Sequence, residues 1–274
     1  MSAEPAFHTP PETIAVDGVE LRYRRGGSGE PVLFLGGAEF TRRWLPFFAE
    51  LAGAVELIVP EGPGFGETEA PPWLDGHDDL VLFYRDVLDA FGLADVHLVG
   101  YSLGGWIAAE LAVFYPRRLR SLTLVAPQGL RVPGVPRADL FLVSHAARAE
   151  LIFNGAAGRY QDYLSEGDEQ ETFFRSYAAS RAEALLAWNP RYDRKLDRRL
   201  AAVRCPALVL AAEEDRVVPR PHAERYAELL PQGRLEVVAG GEEPTAHGLL
   251  AQEPAAVAAA IAEFVAASAP PNPS

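Results

Sequence analysis

Cysteine, basic charge and long apolar runs are scarce in this chain, and each shortage removes a class of function. A single cysteine, Cys205, in 274 residues cannot form an internal disulfide, and no Cys/His cluster has the spacing of a metal site. Cys205 precedes Pro206 at the start of an apolar run, with nothing nearby to lower a thiol pKa, and reads as a buried structural thiol. A formal net charge of -13 argues against nucleic acid or an anionic membrane as partner. No stretch approaches the ~20 apolar residues of a membrane span. Residues Met1 to Pro10 lack the basic and apolar blocks of a signal peptide, so a cytoplasmic location is expected. There is no internal repeat. Gly62, Gly64 and Gly66 miss the third glycine of a dinucleotide fingerprint and open no helix, so they read as turn glycines and no cofactor is expected.

What is present is a chain of 49% hydrophobic residues, enough for one large domain or a domain with an insertion. Apolar runs and turn signals alternate in a βαβα rhythm. The pattern predicts strands at Glu12–Val16, Val19–Arg25, Pro31–Leu35, Val55–Pro60, Val96–Tyr101, Ser121–Ala126, Ala207–Ala212 and Leu235–Val238. From Val32 onward the runs are continuous and rich in Val and Leu, as parallel strands covered on both faces should be. A helix is expected between Asp78 and Gly92, on an apolar stripe of Leu80, Tyr84, Val87, Leu88 and Phe91. Two more open on prolines, at Pro221–Leu230 and Pro254–Ala267.

The rhythm breaks between Pro127 and about Leu200. Pro133, Gly134 and Pro136 mark an exit, and helical stretches carrying Phe141, Phe153, Phe173, Phe174, Tyr177 and Trp188 follow. That is more apolar surface than an ordinary loop carries, and an inserted helical lid is the simplest account. The expected division is therefore a core of residues 1–127 and 201–274 with a lid of residues 128–200.

The most specific signal is Gly100-Tyr101-Ser102-Leu103-Gly104, a G-x-S-x-G between an apolar run and an Ala/Leu-rich helical pattern. That order suits a nucleophile elbow, a sharp strand-to-helix turn that lifts one hydroxyl above the sheet edge. Small flanks are needed at such a turn, and Gly100, Gly104 and Gly105 supply them. Ser102 would then stand at a helix N-terminus, where the Leu103 N–H can donate to an oxyanion.

A serine hydroxyl needs a base, and the base needs a carboxylate to orient it. Of six histidines, His247 follows the last predicted strand and precedes the last helix, at the sheet's carboxyl edge. The run Pro206 to Ala212 ends in Glu213-Glu214-Asp215, and Asp215 can turn back toward His247, with Glu214 its rival.

At this point the chain resembles the serine α/β-hydrolase family with a helical cap, over nearly its whole length. Beyond the elbow, Pro60-Glu61-Gly62-Pro63-Gly64-Phe65-Gly66-Glu67-Thr68 is similar to the family's P-D-x-P-G-x-G-x-S loop, with Glu61 and Thr68 as departures. Glu214-Asp215-Arg216-Val217-Val218-Pro219 is similar to the D-D-R-x-V-P around the family acid, which supports Asp215. The fold implied is α/β, a mostly parallel twisted sheet flanked by helices, with a helical cap after the sixth strand.

Two departures bear on the site. The family's His-Gly at the oxyanion loop is Gly36-Gly37 here, which by position makes the Ala38 N–H a second oxyanion donor beside Leu103. Gly37 and Glu39 then fall near the mouth, with Phe174 and Trp188 of the lid as further substrate contacts. Before His247, the longer acidic loop Gly240 to Ala246 replaces a compact turn.

The resemblance implies acyl transfer to water through Ser102, His247 and Asp215, without metal or cofactor. A serine at the elbow speaks against the dehalogenases and epoxide hydrolases of the family, which need aspartate there. Its carbon–carbon hydrolases usually carry tryptophan after the histidine, where this chain has Gly248. Glu39, Glu242 and Glu243 near the mouth weigh against strongly anionic substrates. The expected function is hydrolysis of a small to medium carboxylic ester with apolar parts. The alternatives are carbon–carbon, lactone or thioester hydrolysis or a non-hydrolytic tailoring step on the same fold, and last a non-catalytic ligand-binding protein. A small-molecule substrate is the expected partner, and a homodimer is compatible with this reading.

Overall fold

A computed structural model of the protein describes residues 7–37, 40, 42–165, 167–188 and 191–268. Among them the strands are β1 Glu12–Val16, β2 Val19–Gly27, β3 Pro31–Leu35, β4 Glu56–Pro60, β5 Val96–Tyr101, β6 Leu119–Val125, β7 Ala207–Ala212 and β8 Gly233–Val238. They form one eight-stranded sheet in the order β1-β2-β4-β3-β5-β6-β7-β8. β2 runs antiparallel to both β1 and β4, and every other neighbouring pair is parallel. The mostly parallel sheet expected from the sequence is therefore present. β2 outruns its prediction by two residues because Gly26 and Gly27 still pair with Leu57 and Glu56 of β4. β6 starts early because Leu119 pairs with Val96.

The helices are α1 Pro46–Ala52, α2 His77–Ala90, α3 Leu103–Phe114, α4 His145–Ile152, α5 Gln161–Leu164, α6 Glu169–Ala187, α7 Leu196–Arg199, α8 Pro221–Leu229, α9 Leu249–Gln252 and α10 Pro254–Ser268. Alternate residues of the central strands feed two cores. Leu33, Leu35 and Leu98 face α2, α3 and α8, while Val32, Phe34 and Val99 pack with Phe47 and Phe48 of α1 and Ile261 of α10. Each such side chain removed from water stabilises the fold by about 1.5–3 kcal/mol. This two-sided burial is why the strands read as unbroken apolar runs.

Between β6 and β7 the chain leaves the sheet's carboxyl edge, and α4 to α7 lie there. The outgoing and returning arms are pinned together where Gly129 bridges Tyr192 and its carbonyl accepts the Asp193 N–H at 3.0 Å. Leu140, Ala149, Ile152, Phe153 and Ala157 pack on Val217, Val218 and Ala251, seating α4 over the loops after β7 and β8. The Arg148–Glu183 ion pair, 2.8 Å, ties α4 to α6. Among the described residues no helix is long and apolar enough to cross a membrane, and no cluster of His, Cys, Asp or Glu could hold a metal ion.

Candidate active site

The turn from β5 into α3 places Ser102 at φ +55° and ψ -116°, a region that costs a non-glycine residue roughly 1–3 kcal/mol. Neighbouring backbone holds it there. The Ser102 N–H donates to the Val125 carbonyl at 3.0 Å, and the Ser102 carbonyl accepts from Gly105 and Gln128 N–H groups. The helix start is also jammed against the sheet: a Cβ on Gly104 would stand 2.0 Å from the Leu35 carbonyl oxygen. Leu103 is the first residue of α3, so its N–H has no partner within the helix.

His247 lies between β8 and α9, and its Nε2 is 2.9 Å from Ser102 Oγ. Its Nδ1 is 2.7 Å from Asp215 Oδ2. Asp215 Oδ1 accepts from the Val217 and Val218 N–H groups at 2.8 and 2.7 Å, which leaves Oδ2 turned to the imidazole. Glu214 is exposed, and Asp215 is the carboxylate facing His247. The three side chains make one hydrogen-bonded line, with His247 and Asp215 side chains 1% and 2% exposed.

Several residues that had no assigned role from the sequence hold this line in place. The Tyr101 hydroxyl donates to the His247 carbonyl at 3.0 Å. Gln252 accepts the Ala246 N–H at 2.7 Å. Glu213 Oε2 accepts from the N–H groups of Gly240 and Thr245, and Thr245 Oγ1 bridges Val238 and Glu213. The longer loop before His247 is therefore braced from the end of β7. Gln128, just past β6, sends its Nε2 to Ser102 Oγ at 3.0 Å. No local sequence signal marks most of these contacts, because those of Tyr101, Glu213 and Gln128 join residues 26 or more apart in the chain.

The two departures in the loop after β4 also have partners. Buried Glu61 pairs with buried Arg24 at 2.6 Å and accepts the Glu67 N–H, while Thr68 Oγ1 accepts the Arg22 N–H at 3.0 Å. Gly66, at φ +60°, presses so close that an added Cβ would stand 2.2 Å from Glu61 Oε2.

A cavity of about 240 Å³ opens between α4, α6 and the core loops, lined among others by Phe40, Gly64, Gly66, Ile152, Tyr163 and Phe174. Two of its lining residues touch chain neighbours of Ser102 and His247. The Ile152 carbonyl accepts the Gly248 N–H at 2.9 Å, and the Phe40 ring stacks on Tyr101 at 6.1 Å. A smaller hollow lined by Gly36, Gly37, Tyr101 and Leu103 adjoins it through Phe40 and Arg42. Gly37 lines this smaller hollow beside Gly36. Ala38 and Glu39 lie outside the described residues. Phe174 faces the cavity, but Trp188 does not: it lines a separate groove of about 600 Å³ with Arg131, Arg137 and Tyr192. Phe174 sits near the start of α6 and Trp188 just past its end, so the rise of the helix, roughly 20 Å over that stretch, carries them apart.

The charge at the cavity departs from the bulk balance. Arg42, His145, Arg148 and Arg175 line it, and among the described residues no carboxylate does. Each arginine is tied from behind to a glutamate, Arg42 to Glu67, Arg148 to Glu183 and Arg175 to Glu171. The acidic surface expected around the mouth therefore does not extend to this wall.

Residues 32–260 match the model of the alpha/beta hydrolase family. The chain is 30% identical over 253 residues to a protein of Azorhizobium caulinodans named "Putative carbamate hydrolase RutD", covering 86% of this chain and 91% of that one. It is 27% identical over 237 residues to 2-hydroxymuconate semialdehyde hydrolase of Pseudomonas sp. strain CF600, covering 82% and 84%. Among solved structures, a meta-cleavage product hydrolase from Pseudomonas fluorescens IP01 superposes with a TM-score of 0.75 at 20% identity, covering 94% of this chain and 98% of that one. The enzyme therefore belongs to the alpha/beta hydrolase family.

Proposed function

We propose that this hydrolase cleaves a small to medium carboxylic ester with apolar parts through an acyl-enzyme on Ser102. The observation that carries the reading is the line Ser102 Oγ, His247 and Asp215 at 2.9 and 2.7 Å, set on a strained turn at the start of α3. His247 Nε2 takes the hydroxyl proton as Oγ attacks the carbonyl and returns it to the leaving alcohol; water then repeats the cycle to release the acid. Asp215 holds the imidazole with Nδ1 protonated, so that Nε2 is free to accept. The Leu103 N–H, with Ala38 as its expected companion, meets the oxyanion. The helices between β6 and β7, α4 to α6 above all, serve as the cap, with Gly37 and Phe174 toward the substrate and Glu39 an expected contact from its place in the sequence.

Carbon–carbon hydrolysis is the second reading, favoured by the names of several relatives. Against it stands Gly248. A Cβ there would lie 2.4 Å from the ring of Phe153, which is buried and stacked on Tyr160 at 4.3 Å. A large ring at this position, the one expected of a carbon–carbon hydrolase, has no room. The cavity arginines do not favour an anionic substrate by themselves, since each already has a carboxylate partner.

The test is labelling with a fluorophosphonate, followed by a panel of acyl esters, lactones and vinylogous diketones. Wild type should label once and prefer esters; Ser102→Ala should stay folded by circular dichroism, fail to label, and lose at least about 10⁴-fold in turnover. A folded Ser102→Ala that still labels would overturn the assignment. Preference for the diketones would move the chain to the second reading.

A further inference from the structure

We infer that Gln128 is a further catalytic residue, a hydrogen-bond donor to the serine oxygen as that oxygen leaves the acyl group, with Arg137 as its positioning residue. The inference rests on the acyl-enzyme reading above. Gln128 is buried, and its Nε2 lies 3.0 Å from Ser102 Oγ. Which end of the amide faces the serine follows from its other partner. Arg137 Nη1 is 2.6 Å from Gln128 Oε1, and a guanidinium only donates, so the oxygen must face Arg137 and the amide N–H must face Ser102. Arg137 is anchored in turn by the Arg191 carbonyl. The backbone is held at both ends, with the Gln128 N–H on the Ser102 carbonyl at 3.0 Å and the Tyr226 hydroxyl on the Gln128 carbonyl at 2.5 Å.

This placement has two chemical consequences. With an N–H already donated to Oγ, the serine hydrogen has no acceptor on that side, so it goes to His247 Nε2. More important is the change in Oγ during the cycle. In the free enzyme Oγ accepts from Gln128 before and during attack, so the contact contributes little to acylation. In the acyl-enzyme Oγ is an ester oxygen whose lone pair is delocalised into the carbonyl, and it accepts weakly. In deacylation the water oxygen bonds to the carbonyl carbon and its proton passes to His247 Nε2. The C–Oγ bond then breaks, its electron pair returns to Oγ, and Oγ takes the proton from His247. The Gln128 donor strengthens as that charge appears, and only an interaction stronger in the transition state than before it speeds the step.

The test is stopped-flow hydrolysis of p-nitrophenyl acetate by wild type, Gln128→Met and Gln128→Leu. Methionine keeps the length without a donor; leucine removes the donor with less bulk and adds neither an acceptor nor a charge, so it decides the matter if the methionine variant does not fold. In both, kcat should fall about 10- to 100-fold and KM should fall with it. kcat/KM should stay within about threefold, because acylation is spared. A full burst of nitrophenol and an acetylated Ser102 by intact mass should accompany the drop. Equal losses in kcat and kcat/KM, or unchanged rates in folded variants, would overturn the role of Gln128. Absence of an acetyl-enzyme and of fluorophosphonate labelling in wild type would instead remove the acyl-enzyme reading itself.

Discussion

Glu110 offers a stability test whose size follows from the structure. It is buried on α3, accepts the Trp106 Nε1–H at 2.7 Å, and lies 3.7 Å from the His77 imidazole, which stacks on Trp106 at 3.8 Å. Burial pushes the Glu110 carboxyl from 4.5 up to about 7 and the His77 imidazole from 6.5 down to about 3. The two groups therefore stand as neutral neighbours near neutral pH and not as an ion pair. Below pH 4.5 folded and unfolded chains both carry the Glu110 proton, and the group has no effect on stability. Between pH 4.5 and 7 the unfolded chain ionises while the folded one holds its proton, so stability falls as pH rises. Above 7 the full penalty applies, and at about 1.4 kcal/mol per pH unit it is about 3 kcal/mol. Glu110→Gln keeps the volume and the acceptor for Trp106 but cannot ionise. Urea denaturation of both proteins at pH 5, 6, 7, 8 and 9 should show the variant gaining about 3 kcal/mol relative to wild type across that range. His77 acts in the opposite direction below pH 6.5 and is common to both proteins, so the comparison is read most directly at pH 7 and above, where the imidazole is neutral in both states. A difference that stays flat, or one that turns against the variant at neutral pH, would mean that Glu110 is ionised and paired with a protonated His77.

Two more outcomes are expected at the site. Asp215→Asn keeps an oxygen for the Val217 and Val218 N–H groups but presents an amide to His247 Nδ1; stability should hold while kcat falls about 10⁴-fold through the wrong tautomer, and Glu214→Gln should change kcat little. Phe174→Ala should shift relative kcat/KM across acyl chain lengths by about 10-fold, since one apolar contact is worth ~1–3 kcal/mol, and Trp188→Ala should leave the ratios alone. A selectivity change in Trp188→Ala with none in Phe174→Ala would place the substrate in the other groove.

The core was legible because its signals are local. Unbroken Val/Leu runs mark strands covered on both faces, a stripe at 3.6-residue spacing marks α2, and prolines open α8 and α10. The glycines flanking Ser102 announce a turn that only small residues permit, which is why the elbow stands out in a single line of letters. The segment between β6 and β7 was legible only in outline. Its helices carry exposed aromatic rings as well as buried ones, and Phe174 and Trp188 look alike in sequence. Periodicity cannot say which side of a helix a distant loop will cover.

The order of serine, acid and histidine along the chain, and their places after successive strands, is a property of the sequence, because a parallel sheet delivers every strand's carboxyl end to one edge. What tertiary structure alone decided is which polar groups meet there. Asp215 rather than Glu214 faces the imidazole because two backbone N–H groups turn its carboxylate inward. Gln128 reaches the serine oxygen because Arg137, in the chain that leaves the sheet, holds its amide the other way round. These side-chain contacts span 9 to 32 residues of separation, and packing sets that reach where spacing along the chain cannot.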